Sequence, residues 1–197
     1  MSKKSIPTLI SIAAVCSFLA LPTQAADTHV KPMTEFAKKT VQAWIADPEV
    51  IEAVKAQNAK NTGLSQADID RLDLQWRAET KSSDRPLIDS VLGKDVSRKL
   101  KAARNEARGL VTEIFVMDNK GLNVGQSDVT SDYWQGDEAK WKKSYQAGAG
   151  AVFIDEVELD ESTQTFQSQL SLPVVDPANG EVIGAVTVGV NVDELLQ

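Results

Sequence analysis

Three regimes of hydrophobic patterning divide the chain. Residues 6–21 are almost continuously apolar, broken only by Pro7 and small hydroxyl residues. Lys3 and Lys4 precede this run, and Thr23-Gln24-Ala25 follows it with small residues at −3 and −1 of a cleavage point. That order predicts a cleavable secretory signal over residues 1–25, cut after Ala25. The run is shorter than the roughly 20 apolar residues of a membrane span. Cys16 lies inside it, and Val15 before it is a poor lipobox residue, so Cys16 is read as part of the apolar region.

Residues 26–110 repeat at helical spacing. Phe36, Thr40, Trp44 and Ile45 share a face, and Val50, Ile51 and Val54 continue the stripe beyond Asp47-Pro48. An aspartate before a proline suits a helix start, so the stripe is either one long helix kinked at Pro48 or two helices. Asn61-Thr62-Gly63 ends it. Ser65 and Asp68 form a capping-box pattern opening a helix with Ile69, Leu72 and Trp76 on one face. Asp84-Arg85-Pro86 opens another, carrying Leu87, Ile88, Val91 and Leu92.

From residue 111 the period shortens to two. Residues 111–118 and 122–127 read as a hairpin around Asp118-Asn119-Lys120-Gly121. Residues 131–146, polar and aromatic, read as a helical crossover. Residues 152–159, 165–175 and 181–192 read as three further strands with turns between them. The order fits a five-stranded antiparallel sheet, 2-1-5-4-3, of the PAS-like kind. The predicted class is α+β: a long N-terminal helical segment (26–110) packed on a sheet (111–197), together one domain over 26–197.

Composition narrows the chemistry. Signal removal takes two lysines from a chain of formal charge −7, leaving −9, and also takes the only cysteine. An acidic surface argues against nucleic acid and anionic membrane surfaces, and no later segment is apolar enough for membrane insertion. The single histidine, His29, stands near the new N-terminus. Ser-His-Asp or Cys-His catalysis, zinc and haem are therefore disfavoured, and no metal or cofactor is expected. A carboxylate-pair hydrolase is the enzymatic reading that composition leaves open.

Strand alternation then points to binding residues. Val182, Val186, Val188, Val190 and Val192, with Gly184, share one face of the last strand. Ile183, Ala185, Thr187, Gly189 and Asn191 share the other. The valine face suits the core. Small residues on the second face leave room for a ligand, or for large side chains from the crossover. Asp155 sits among Phe153, Val157 and Leu159, where a carboxylate needs a partner: a ligand, a lysine or a backbone amide. Tyr133, Trp134 and Trp141 on the crossover are either core or cavity wall. Gln126, Ser127 and Asp128 precede it as candidate polar contacts.

Residues 112–127 (TEIFVMDNKGLNVGQS), 130–141 (TSDYWQGDEAKW) and 184–195 (GAVTVGVNVDEL) resemble the extracytoplasmic Cache family, or PDC sensors. The resemblance spans residues 34–195 and is specific from 112 onward. It implies a long helix behind the sheet and a small-molecule cavity on the other face. Residues 131–141 would form the outer wall, moving Tyr133, Trp134 and Trp141 toward ligand contact. Amine-binding members usually carry an aspartate in the last strand, where this chain has Asn191, and an arginine near the tryptophan, where Lys140, Lys142 and Lys143 stand. A neutral or anionic ligand is favoured over an amine. The expected function is a periplasmic, non-enzymatic sensor module, binding a small molecule at Ser127, Asp128, Tyr133, Trp134, Trp141, Asp155, Thr187 and Asn191. The chain ends at Gln197 without an output domain, so signalling would pass through a membrane receptor or kinase partner; a homodimer is the other protein partner considered. A ligand-free structural module with the same fold is the alternative.

Overall fold

The computed structural model describes residues 28–160 and 165–197. The predicted signal at 1–25 lies outside the described residues. The chain enters through α1 (Val30–Phe36), which runs on through a π-helical stretch (Ala37–Val41) into α2 (Gln42–Ile45). It then breaks at Asp47. The Asp47 carboxylate accepts from the Glu49 amide at 2.9 Å, and proline fills the first position of α3 (Pro48–Asn61). The stripe read as one kinked helix or two is thus two rods.

The capping box forms as predicted at the start of α4 (Gln66–Glu79), and proline opens α5 (Pro86–Leu92). A further helix, α6 (Asp95–Glu106), delivers the chain to the sheet. Glu79 ties the first two of these together, accepting from the Leu87 and Ile88 amides at 2.8 and 2.9 Å.

The sheet comprises β1 (Val111–Met117), β2 (Asn123–Gln126), β3 (Phe153–Ile154), β4 (Glu158–Asp160), β5 (Thr165–Val175) and β6 (Val182–Asn191). All pairs are antiparallel, in the order β2-β1-β6-β5-β3, with β4 also paired to β5. The expected 2-1-5-4-3 arrangement is present with one correction: the third strand is split into β3 and β4. The break falls at Asp155, whose carbonyl accepts from the Ser168 hydroxyl at 2.7 Å and lies 3.3 Å from His29 Nε2. Side chains occupy an acceptor that an unbroken ladder would use. The mixed α+β architecture and PAS-like sheet agree with the Cache resemblance.

The helical layer covers one sheet face. Ile114, Val116, Leu170, Leu172, Val174, Val186, Val188 and Val190 are buried there against Val50, Ile51, Val54, Val96 and Leu100. Met33, Ala37, Val41 and Ile45 belong to the same cluster, so the first rod also contributes to it. The valine stripe of the last strand is its centre. A buried polar hub fastens α3 to the hairpin turn. Asp118 is fully buried; its carboxylate accepts from Gln57, Asn61 and the Lys120 and Leu122 amides at 2.8–3.1 Å. Four donors to one carboxylate offset its loss of water.

The crossover departs from the helix expected over 131–146. Only α7 (Ala139–Lys142) is helical in its middle, and a four-residue helix, α8 (Val192–Leu195), follows β6. Residues 128–136 are instead held by distant partners. Asp73 of α4 accepts from the Tyr133 and Trp134 amides at 2.9 and 3.0 Å, and Trp76 donates to the Thr130 carbonyl at 2.8 Å. Arg77 bridges Asp73 and Asp132, each at 2.7 Å. Backbone groups engaged this way do not form a helix of their own.

Candidate functional site

On the outer face of the sheet, β1 presents Glu113, Phe115 and Met117, while β6 presents Ala185, Thr187 and Gly189. The face divides in two. Phe115, Met117 and Ala185 pack under Trp141, with Tyr145 stacked on the indole at 4.7 Å. Trp141 Nε1 donates to the Asp118 carbonyl at 3.3 Å. At the boundary the Ser171 and Thr187 hydroxyls, both fully buried, bond one another at 2.9 Å. Beyond that pair the face is polar and open.

There a cavity of about 660 Å³ stands over the sheet. Glu113, Phe115, Gln167 and Gln169 line its floor, and Asp128, Val129, Thr130, Ser131 and Gln135 form a wall. Gln169 donates to the Glu113 carboxylate at 3.0 Å, and Thr112 donates to Gln167 Oε1 at 2.9 Å. Gly189 lies beneath them. A Cβ built on it would collide with Thr112 Oγ1 and Glu113 Cγ, so only glycine lets these side chains close over the central strand.

Two cations reach the cavity. Arg104 of α6 forks onto Asp128, Nε at 3.1 Å and a terminal nitrogen at 2.5 Å, while Ser127 donates to the same carboxylate at 2.8 Å. Lys140 pairs with Glu138 at 2.7 Å and stands 5.6 Å from the centre of the Phe115 ring. Burial pushes the Glu113 carboxyl above its ordinary range, opposed by the bond from Gln169 and the charge of Lys140. The site therefore offers a carboxyl that resists ionisation, several amides, and two cations already paired. This suits hydrogen bonding to a polar solute. Among the described residues, no three His, Cys, Asp or Glu side chains are grouped to hold a metal ion.

The structure places the eight predicted residues in several locations. Asp128 lines the cavity, and Ser127 supports it by bonding Asp128 and the Ile114 amide. Trp141 and Thr187 belong to the packed half of the same face. Tyr133 stacks on Trp76 at 5.3 Å in a separate cluster with Ile69, Ile88, Val91 and Leu122, and Trp134 packs beside it. With so little helix between them, Trp134 and Trp141 do not share a helix face. Trp134 donates to the Lys120 carbonyl at 2.8 Å instead. Asn191 caps α8 by accepting from the Asp193 and Glu194 amides. Asp155, in the gap between β3 and β4, accepts from the Glu156 amide at 3.0 Å and lines a different surface cavity with His29 and Phe166.

Arg104, Glu113, Gln167 and Gln169 are not singled out by the sequence, while Lys140, noted there beside the tryptophan, does reach the cavity. Alternation alone could have found Glu113: Ile114 and Val116 mark the core face, so Glu113 must share the other with Phe115.

No protein-family model matches the chain, and no curated protein matches it. Solved structures do. The ligand-binding domain of the Campylobacter jejuni chemoreceptor Tlp3, in complex with 4-methylisoleucine, is similar at a TM-score of 0.40 and 12% identity, over 82% of this chain and 64% of that one. The V. cholerae histidine kinase DctB sensor domain is similar at 0.38 and 13% identity, over 86% and 58%. The ligand-binding domain of the Pseudomonas aeruginosa PAO1 amino acid chemoreceptor PctC, in complex with GABA, is similar at 0.38 and 13% identity, over 64% and 62%. The chain spans less than two thirds of the length of each of these structures.

Proposed function

We propose that this protein is an extracytoplasmic sensor module that binds a small neutral polar or anionic molecule in the cavity over Glu113, Gln167 and Gln169, and signals through a separate partner. The observation that carries the reading is the cavity itself: about 660 Å³ of open space over a sheet floor, within the size of small-molecule sites. Its lining supports the ligand class. Gln167 and Gln169 bring side-chain amides to the cavity, groups that can both donate and accept hydrogen bonds. A carboxyl raised by burial favours its neutral form, which hydrogen-bonds without demanding an ammonium group. The signal pattern at 1–25 supports export.

A thermal-shift panel tests the proposal, with neutral amides and nucleobases, small carboxylates and amino acids as separate arms. The expected result is stabilisation by the neutral or carboxylate arm, lost in Gln169→Leu, because a ligand that binds only the folded state raises its stability. No shift in any arm, or an equal shift in the variant, overturns it. The Trp141–Tyr145 stack supports a second reading, a module whose cavity has been given over to packing; a silent panel favours it.

A further inference from the structure

On the opposite side of the molecule, between α3 and α6, runs a groove of about 620 Å³ that the sensor reading does not use. Ala53, Ala56, Val96 and Val124 give it apolar walls, and Lys94 stands in it. The surroundings of this lysine are unusual for a cation. Its Nζ donates to Gln57 Oε1 at 3.0 Å and to the Val124 carbonyl at 2.7 Å, both neutral acceptors. Gln57 cannot turn its amide, because its Nε2 is engaged by the Asp118 carboxylate at 3.1 Å and by the Leu122 and Asn123 carbonyls. Among the described residues Lys94 forms no ion pair. Of the charged groups nearby, Lys60 opposes its charge and Asp118 supports it from behind Gln57, while Glu49 and Asp95 line the groove. Its backbone caps the N-terminus of α6, where the helix dipole also disfavours a positive charge.

We propose that Lys94 is a nucleophilic lysine that captures small aldehydes or ketones in the α3–α6 groove as reversible imines. A neutral amine has two hydrogens, and this site has two fixed acceptors for them. The remaining tetrahedral position is the lone pair. That pair attacks the carbonyl carbon and a C–N bond forms. One amine proton passes to the former carbonyl oxygen to give a carbinolamine. Loss of the hydroxyl and the second proton as water leaves C=N and gives up the donor bonds to Gln57 Oε1 and the Val124 carbonyl; nothing is oxidised or reduced. Burial and the neighbouring Lys60 lower the ammonium to about 8, raising the share of free amine near neutral pH. An ordinary lysine titrates at 10.5, so at pH 7 the free-amine fraction of Lys94 is about 300-fold larger.

Reductive alkylation of the folded chain tests this, using propanal with cyanoborohydride to fix each imine, and peptide mass spectrometry to read each lysine. Lys94 should react at least about tenfold faster at pH 7 than the lysine of a short unstructured reference peptide, and its rate should level off above pH 8, while that of the peptide lysine keeps climbing. In guanidinium the two should react alike. Equal rates with the folded chain, a Lys94 rate that climbs in parallel with the peptide lysine, or a preference that survives unfolding would each overturn the assignment.

Discussion

The two faces of the sheet are built from the same strands by the same alternation, yet they end differently. The helix-side face is aliphatic through its centre: Val186, Val188 and Val190 of β6 align with Ile114, Val116, Leu170 and Leu172, and the buried Ser168 opposite Val190 brings a hydroxyl to its end. The outer face is no less enclosed at its centre, where Thr187 and Ser171 are fully buried, but it divides into an aromatic half under Trp141 and a polar half over Glu113. The first face is settled by hydrophobicity alone. The second depends on which distant segment lies over it, and that segment, residues 128–136, is held by Asp73, Trp76 and Arg77 of α4 rather than by its own propensity.

Truncation should expose this difference. Trp141→Ala is expected to have the largest effect, about 3–5 kcal/mol, because it empties the aromatic half and removes the bond to the Asp118 carbonyl. Val188→Ala on the helix side should cost less, about 2 kcal/mol, from a smaller cavity in a well-packed layer. Urea denaturation of both variants checks the order. If Trp141→Ala costs less than Val188→Ala, the aromatic half is not core.

The polar half should respond to pH. Burial raises Glu113 above its ordinary 4.5, so folding favours its protonated form. That contribution is fully present below 4.5 and is lost as pH rises through the raised value. Glu113→Gln keeps an acceptor for Gln169 and cannot ionise. It should match the wild type in acid and be the more stable protein at neutral pH, by thermal melting across the range. A gap that widens as pH falls would reverse the sign. The smallest effect is expected at the mouth of the cavity. Arg104→Ala breaks a half-buried ion pair at the cavity mouth and should cost about 1 kcal/mol, measured by the same melts.

This contrast also explains what could be read from the sequence. The valine stripe, the hairpin at Asp118–Gly121, the capping box at Ser65 and the break at Pro48 are local signals, and each marks a feature of the structure. The succession of strands is only compatible with the sheet order; the order itself comes from the PAS-like layout. The crossover was misread because Tyr133 and Trp134 give their amides to Asp73, some sixty positions earlier. Arg104 was missed for the same reason: its partner Asp128 lies across the sheet edge on another element. Small residues at Thr187 and Gly189 leave two readings open in the sequence, a ligand cavity or filling side chains. In the structure the hydroxyl of Ser171 and the side chains of Thr112 and Glu113 stand over these two positions, and the open space begins beyond them.

The most direct measurement compares the two halves of the outer face by ligand response. A compound that raises the melting temperature of the wild type should do so equally in Trp141→Phe, which keeps the packed half filled, and should fail in Gln169→Leu. Loss of the response in Trp141→Phe with retention in Gln169→Leu, or no response from any compound in the wild type, would contradict the account.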